Sequence, residues 1–247
     1  MEEKTKTVLE IENLTKQYGN TTAVNNLSIS LEGGDIFGFI GPNGAGKTST
    51  IKCIAGLLDF KSGKIRINSR DSKSFSDISK KKIGYVPDTP FLYDKLTGRE
   101  FLYFVGRIYG MDKKSIDREI EFYSKEMEFS DYMDSRTEEY SHGMKQRIVI
   151  ASAFIHNPDI LLVDEPMVGL DPKSSRIVKD LFKRIAMENR ILFISTHTLS
   201  LAEELCNKIG IMDKGNLVYF GGLNDLKNKI HKDNLEDIFL EITKTHE

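Results

Sequence analysis

The hydrophobic and polar positions of the chain follow three patterns, of which two are typical of strands and one of helices. Uninterrupted apolar runs of strand length are typical of strands buried on both faces, as in parallel sheets. Runs in which apolar and polar residues alternate are typical of strands with one exposed face. The buried runs are 36–40, 160–163 and 191–195, and the alternating runs are 8–14 and 27–31. The alternation of such strands with helices predicts a mainly parallel sheet covered on both faces.

Between the two blocks of strands the periodicity becomes helical. Thr97 and Glu100 have the spacing of a capping box ahead of apolar residues at helical positions. A second helix is predicted from Lys113 to Met127, and residues 208–212 and 216–220 resemble the two strands of a hairpin.

These patterns divide the chain into four segments of one domain, residues 1–247. Residues 7–87 and 156–222 form an α/β core, and residues 88–155 form a helical subdomain inserted between its halves. Residues 223–247 form a short tail with an amphipathic helix, which we expect to pack on its own domain.

The amino-acid composition of the chain excludes few classes of protein. Hydrophobic residues make up 39% and charged residues 29% of the 247 residues, as in ordinary globular proteins. A net charge of -2 gives no electrostatic reason to expect nucleic-acid binding. Cys53 and Cys206 lack metal-site spacing and are expected to be reduced thiols. Residues 1–7 have no apolar core, so no signal peptide is expected, and no apolar run approaches the roughly 20 residues that span a bilayer.

The strongest chemical signal lies between the predicted strand 36–40 and a helical pattern that begins near Ser49. The stretch matches G-x-x-x-x-G-K-[ST], and the strand and helix beside it make a phosphate-binding loop the expected structure. Its residues are Gly41, Pro42, Asn43, Gly44, Ala45, Gly46, Lys47 and Thr48, and Ser49 directly after them is also expected to bind the nucleotide. Backbone N–H groups would hold the β-phosphate, Lys47 would reach the β- and γ-phosphates, and the Thr48 hydroxyl would bind magnesium. We therefore predict that the protein binds a nucleoside triphosphate.

Two further strands end in groups suited to hydrolysis. The run 160–163 is followed by Asp164 and Glu165, and the run 191–195 is followed shortly by His197. Ligands of open α/β sheets bind at the carboxyl ends of the strands. Asp164 is therefore expected to bind the same magnesium ion as Thr48. Glu165 is expected to deprotonate the attacking water, and His197 to stabilise charge on the γ-phosphate.

A second predicted anion site precedes the helical stretch 148–155. Ser141 has the character of an N-cap, and Gly143 would let a phosphate approach the backbone. Because the chain contains one phosphate loop, this second site suggests a dimer in which Ser141 and Gly143 of one subunit close over the ATP of the other. An ordinary capped helix remains the alternative.

Taken together, these motifs resemble those of the ATP-binding cassette (ABC) family, the nucleotide-binding subunits of ABC transporters. The resemblance runs from about residue 8 to residue 220. Residues 41–48 resemble Walker A, residues 141–143 the signature, residues 160–165 Walker B with the catalytic glutamate, and residues 169–172 the D-loop. The resemblance implies that His197 is the switch histidine and that Tyr18 stacks on adenine. It also implies a P-loop NTPase fold of the ABC ATPase type, with an N-terminal antiparallel β subdomain and a helical insert.

The sequence departs from the family pattern at two places. Asp88 stands where the family usually has a glutamine that contacts magnesium and the membrane subunit. A carboxylate suits a hard cation but lacks the amide donor, so we expect Asp88 to respond to the metal. His142 and Met144 replace the commoner glycine and glutamine of the signature, and we expect His142 to face solvent. This variant signature is similar to that of the exporter branch whose ATPase subunits are separate chains.

The resemblance therefore implies an ATP-hydrolysing subunit that uses ATP and Mg²⁺. It would pair with a second copy of itself or a related ATPase subunit and drive transmembrane permease subunits from the cytoplasmic face of the membrane. The alternative is a soluble ABC-type ATPase that acts on nucleic acid or ribosomes. A GTPase or small-molecule kinase that shares only the phosphate loop is disfavoured. Residues 207–210 have glycine where the guanine motif has aspartate, and a kinase would leave residues 141–143 and His197 unexplained.

Overall fold

A computed structural model describes residues 7–71, 81–230 and 234–244. The expectation about a signal peptide concerns residues of which all but Thr7 lie outside these ranges. The described strands are β1 (Val8–Tyr18), β2 (Thr21–Glu32), β3 (Ile36–Ile40), β4 (Ser62–Ile67), β5 (Arg70–Asp71), β6 (Ile83–Val86), β7 (Ile160–Asp164), β8 (Ile191–Thr196), β9 (Lys208–Asp213) and β10 (Asn216–Gly222). The described helices are α1 (Lys47–Ile54), α2 (Gly98–Ile108), α3 (Lys113–Glu126), α4 (His142–Phe154), α5 (Pro172–Met187), α6 (Leu199–Leu205), α7 (Leu223–Ile230) and α8 (Leu235–Lys244).

The core is a six-stranded sheet in the order β10-β9-β3-β8-β7-β6. Neighbouring strands from β9 to β6 are parallel, and β10 pairs antiparallel with β9 as the predicted hairpin. Every residue of β3, β7 and β8 is buried, which explains their uninterrupted apolar sequences. The predicted mainly parallel sheet is thereby confirmed, and its central strands end on one edge.

Aromatic packing fixes the register at the middle of this sheet. Phe37 of β3 lies opposite Phe193 of β8, and their rings meet edge to face with centroids 4.9 Å apart. A slip of one residue would carry these side chains to the opposite face of the sheet. The packing therefore also sets the position of the end of β3 relative to the end of β8.

A second sheet, in the order β2-β1-β4-β5, is antiparallel. Its inward side chains include Leu9 and Leu31, which are fully buried and share a hydrophobic cluster with Phe37 and Ile51. The antiparallel sheet thus packs over helix α1 and one face of the parallel sheet.

Helices α2, α3 and α4 lie in the segment predicted to be a helical insert. Thr97 and Glu100 form the predicted capping box of α2, and the hydroxyl of Ser141 caps α4 by accepting a hydrogen bond from the N–H of Met144. Phe154 of α4 and Phe182 of α5 are fully buried in one cluster. This packing joins the helical segment to the rest of the core.

The tail helix α8 packs on its own chain, since Leu235 and Ile238 are fully buried. Cys53 and Cys206 are buried free thiols, and burial raises their pKa values to about 11 and about 12. Among the described helices, none is long and apolar enough to cross a membrane.

Candidate functional site

The phosphate-binding loop connects β3 to α1, and its backbone leaves no room for a side chain at Gly46. Gly46 adopts φ +104° and caps α1, and a Cβ atom there would lie 2.2 Å from the carbonyl oxygen of Ala23. Gly41 is equally confined, because its Cβ would lie 2.4 Å from the carbonyl oxygen of Met212. The two sheets therefore hold the loop from both sides and leave its N–H groups at the start of a helix, where anions bind.

Lys47 is held within this loop. Its ammonium group donates hydrogen bonds to the carbonyl oxygens of Gly41 at 2.7 Å and Pro42 at 3.0 Å, and the residue is 6% exposed. Burial lowers the pKa of Lys47, while the charges of Glu165 and Asp164 oppose that shift. These two hydrogen bonds hold the ammonium group of Lys47 against the loop.

A cleft of about 250 Å³ opens above the loop. Its lining combines loop residues with residues from β2, the segment after β6 and the segment after β7. The lining residues are Ala23, Asn43, Gly44, Gly46, Lys47, Thr48, Ser49, Asp88 and Glu165. The structure thus brings Asp88 and Glu165 to the phosphate-binding loop from distant parts of the sequence.

Asp164 is the last residue of β7 and is 1% exposed. Neither carboxylate oxygen makes a hydrogen bond of normal geometry within the described part of the chain. Burial raises the pKa of Asp164, and the nearby hydroxyls of Thr48 and Ser195 act in the opposite direction without reaching hydrogen-bond geometry. A buried carboxylate left without donors is costly, and a cation would remove that cost.

These groups fit a magnesium ion. Thr48 and Asp164 offer oxygen ligands on neighbouring elements, as a hard cation requires. No group of three or more His, Cys, Asp or Glu residues is placed to hold a metal within residues 7–71, 81–230 and 234–244. A pair of protein oxygen ligands suits Mg²⁺, which in proteins usually keeps several waters and binds through one or two carboxylates together with phosphate oxygens.

Glu165 has an unusual backbone and a fully engaged side chain. Its φ is +49°, a left-handed conformation that costs a residue other than glycine about 1–3 kcal/mol. Its Oε1 accepts a hydrogen bond from the N–H of His197 at 3.0 Å and lies 2.7 Å from the Nδ1 of that ring. Its Oε2 accepts a hydrogen bond from the hydroxyl of Thr196 at 3.0 Å. The carboxylate is therefore held in one orientation at the mouth of the cleft.

The sequence predicts a role in the site for His197 but not for Thr196. His197 is predicted to approach the γ-phosphate, and the structure directs its Nδ1 to Glu165. Thr196, which orients Glu165, is missed by the sequence reasoning although it directly precedes His197. Its position at the end of β8 is the signal that could have identified it.

Tyr18 lies at the end of β1 beside the loop. Its side chain is 47% exposed, and its hydroxyl lies 3.4 Å from the hydroxyl of Ser49. The ammonium group of Lys16 lies 4.6 Å from the centre of the ring, a cation–π contact that the sequence reasoning misses. Alternate residues of a strand share a face, so the spacing of these two residues could have revealed the contact.

Ser141 caps helix α4 and Gly143 lies in its first turn, and neither is among the residues that line the cleft. Ser141 is exposed. The neighbouring His142 is also exposed, and its Nε2 lies 3.2 Å from the carbonyl oxygen of Val168. The expectation that His142 only faces solvent therefore misses a contact within the chain.

Comparison with known protein families identifies residues 24–168 as matching the ABC transporter family. The chain belongs to this family. The match includes the phosphate-binding loop, the signature residues Ser141 and Gly143, and the carboxylates Asp164 and Glu165. As a member of the family, the chain is the ATP-binding subunit of an ABC transporter and an ATPase.

Relatives and solved structures agree with this assignment. The linearmycin resistance ATP-binding protein LnrL of Bacillus subtilis is 35% identical over 228 residues, which cover 92% of this chain and 73% of the relative. A structure described as the ATP-binding subunit of an ABC transporter is similar with a TM-score of 0.89 and 29% identity, covering 96% of this chain and 99% of its own. A dimeric ATP-binding cassette in a post-hydrolysis state with ADP and Pi shares the fold, with a TM-score of 0.79 and 23% identity, covering 87% of this chain and 98% of its own.

The unmet charge of Asp164 leads to a prediction about the stability of this ABC ATPase. We expect Asp164→Asn to raise the free energy of unfolding of the nucleotide-free protein by about 1 kcal/mol, because a neutral amide is cheaper to bury. Chemical denaturation with and without ATP and Mg²⁺ measures this, with Asp131→Asn as the control, because Asp131 is an exposed aspartate. A variant less stable than wild type would show that the carboxylate is satisfied in the free protein.

Proposed function

We propose that this ATPase works as a dimer, with a second copy of itself or a related subunit, and that two ATP–Mg²⁺ complexes lie between the subunits. The observation that carries the proposal is the split of the site. The cleft contains Lys47 and Glu165 but not Ser141 or Gly143, which present a capped helix start elsewhere on the same chain. The dimeric assembly of the cassette described with ADP and Pi supports the same arrangement.

Within the cleft the residues divide the work of hydrolysis. The N–H groups of the loop and Lys47 hold the β- and γ-phosphates, and Ser141 and Gly143 of the other subunit complete the contacts to the γ-phosphate. Glu165 accepts a proton from water as the water oxygen attacks the γ-phosphorus and the bond to the bridging oxygen breaks, which releases ADP and phosphate.

His197 is poised to act through its second nitrogen. Because a carboxylate only accepts hydrogen bonds, Nδ1 carries the proton that it shares with Glu165. We propose that His197 orients Glu165 through Nδ1 and that its Nε2 faces the γ-phosphate, where charge develops in the transition state.

The proposed metal site consists of Thr48 and Asp164, with Asp88 at the cleft wall. Bound Mg²⁺ would neutralise charge on the β- and γ-phosphate oxygens. Tyr18 is proposed to stack on adenine, because its side chain is exposed at the edge of the loop and an aromatic ring can stack on a planar base.

The dimer model predicts the behaviour of Glu165→Gln. We expect hydrolysis to fall by roughly 10²–10⁴-fold, because the general base is lost, while ATP still binds. ATP should then trap a dimer, which light scattering detects as a doubling of mass. Adding Ser141→Ala to Glu165→Gln should weaken the trapped dimer, and Ser130→Ala serves as an exposed serine control. A Glu165→Gln protein that stays monomeric at saturating ATP would overturn the shared site.

Asp88 gives a separate prediction about the metal. We expect Asp88→Ala to raise the Mg²⁺ concentration for half-maximal ATPase activity, because a carboxylate facing the metal site is lost. Asp88→Gln, which restores the side chain usual in the family, should return part of the activity. Titration of the ATPase rate with Mg²⁺ and with Mn²⁺ measures both effects. Unchanged metal dependence in both variants would show that Asp88 does not respond to the metal.

An exposed apolar surface lies next to the segment that carries Asp88. Phe91 is 68% exposed, Tyr93 47% and Phe104 43%, and the ring of Tyr93 meets the other two edge to face. A groove of about 300 Å³ nearby is lined by Leu57 and Val105 among other residues. Exposed apolar clusters of this kind mark interaction sites. We propose that an apolar cytoplasmic segment of a permease subunit docks here, so that ATP in the cleft is coupled to the membrane through residues 88–93.

The docking surface predicts a loss of membrane attachment without loss of catalysis. We expect the double variant Phe91→Ser, Phe104→Ser to pellet with native membranes far less than wild type, while the isolated protein hydrolyses ATP at an unchanged rate. Phe122→Ser is the matched control, because Phe122 is 47% exposed on helix α3. Membrane recovery equal to wild type would place the permease contact elsewhere.

Export is the proposed direction of transport. The signature variant and the resistance function in the name of the B. subtilis relative support it. The alternative, action on nucleic acid or ribosomes, has no support from the net charge of -2. Co-sedimentation of the native protein with ribosomes instead of membranes would favour that alternative.

A further inference from the structure

The signature segment and the catalytic segment touch each other within a single chain. The ring of His142 lies over Gly169, where a Cβ atom would come within 2.1 Å of its Cδ2. Gly169 has φ +75°, a left-handed conformation that glycine adopts without strain. Because it has no side chain, it also leaves room for the His142 ring. The Nε2 of the same ring lies 3.2 Å from the carbonyl oxygen of Val168. A carbonyl oxygen only accepts, so Nε2 carries a proton and donates it.

A second side chain of helix α4 makes a parallel contact. Gln146 is 1% exposed, and its Nε2 donates a hydrogen bond to the carbonyl oxygen of Pro166 at 3.3 Å. Residues separated by one helical turn share a face, so His142 and Gln146 present two donors side by side. Together they bind alternate carbonyl groups of residues 166–168.

Residues 166–168 directly follow Glu165, whose backbone is in a left-handed conformation. Such a conformation persists only when the surrounding structure holds it. On the side of β8, the N–H of Glu165 donates to the carbonyl oxygen of Ser195 at 2.9 Å. On the other side, Gln146 and His142 connect the helical segment to residues 166–168.

We propose that His142 is a positioning residue that couples the signature helix to the catalytic carboxylate of the same chain. This inference rests on the proposed function, in which the start of α4 binds the ATP of the other subunit. When ATP engages Ser141, a shift of α4 is passed through His142 and Gln146 to the backbone after Glu165. One ATP site thereby influences the geometry of the base in the other.

The proposed role of His142 depends on the N–H donor of its ring and not on the volume of the side chain. His142→Ala removes the ring and the N–H group, whereas His142→Gln restores an N–H donor of similar reach, as Gln146 shows on the same helix. We expect His142→Ala to lower kcat about tenfold, since one hydrogen bond positions the base, and His142→Gln to recover most of that loss. The KM for ATP should stay within about twofold of wild type, because the loop that holds ATP is unchanged.

A trapping measurement separates positioning from direct contact with ATP. In the Glu165→Gln background, His142→Ala should leave the ATP-dependent dimer as stable as before. Lys145→Ala, on the same helix, is the control for kcat, and thermal unfolding of every variant tests whether the fold is intact.

Three results would overturn the inference: an unchanged kcat in His142→Ala, an equal loss in His142→Gln, or a weakened dimer in the trapping measurement. The last result would place His142 on the nucleotide of the other subunit. Failure of wild-type protein to hydrolyse ATP, or of Glu165→Gln to dimerise, would count against the proposed function itself. These outcomes are seen without any change at His142.

Discussion

An excess of negative charge at the carboxyl end of the parallel sheet shapes the whole site. Asp88, Asp164 and Glu165 converge on the loop that contains the buried ammonium group of Lys47. Glu165 is satisfied by neighbouring donors, but Asp164 is buried without a hydrogen bond of its own within the described chain. The apolar burial of the surrounding strands β3, β7 and β8 opposes this cost. In the proposed function, an ATP–Mg²⁺ complex would supply the positive charge that Asp164 lacks.

The sheet that carries these groups was predictable because its determinants are local in sequence. Uninterrupted apolar runs identified the strands β3, β7 and β8, and the capping residues Thr97 and Ser141 marked where two helices begin. The convergence of Lys47 and Glu165 on one cleft also follows from the sequence, because parallel strands end on one edge. The roles assigned to these side chains remain predictions.

Other features of the site depend on distances between residues far apart in sequence. Nothing in the run Ser141-His142-Gly143 shows that His142 meets Val168, because that contact requires α4 to pack against the segment after β7. The unmet oxygens of Asp164 are equally invisible, since an aspartate at a strand end is usually satisfied by water or by a neighbour. The sequence shows which groups are available, and packing decides which of them are paired.

The outer antiparallel sheet takes part in the nucleotide site as well as in the core. The carbonyl group of Ala23 in β2 stands against Gly46, so the wall behind the phosphate-binding loop belongs to a different sheet from the strand that precedes the loop. Without the antiparallel sheet, the loop would lose one of the two walls that confine it, even if every strand of the parallel sheet stayed in place.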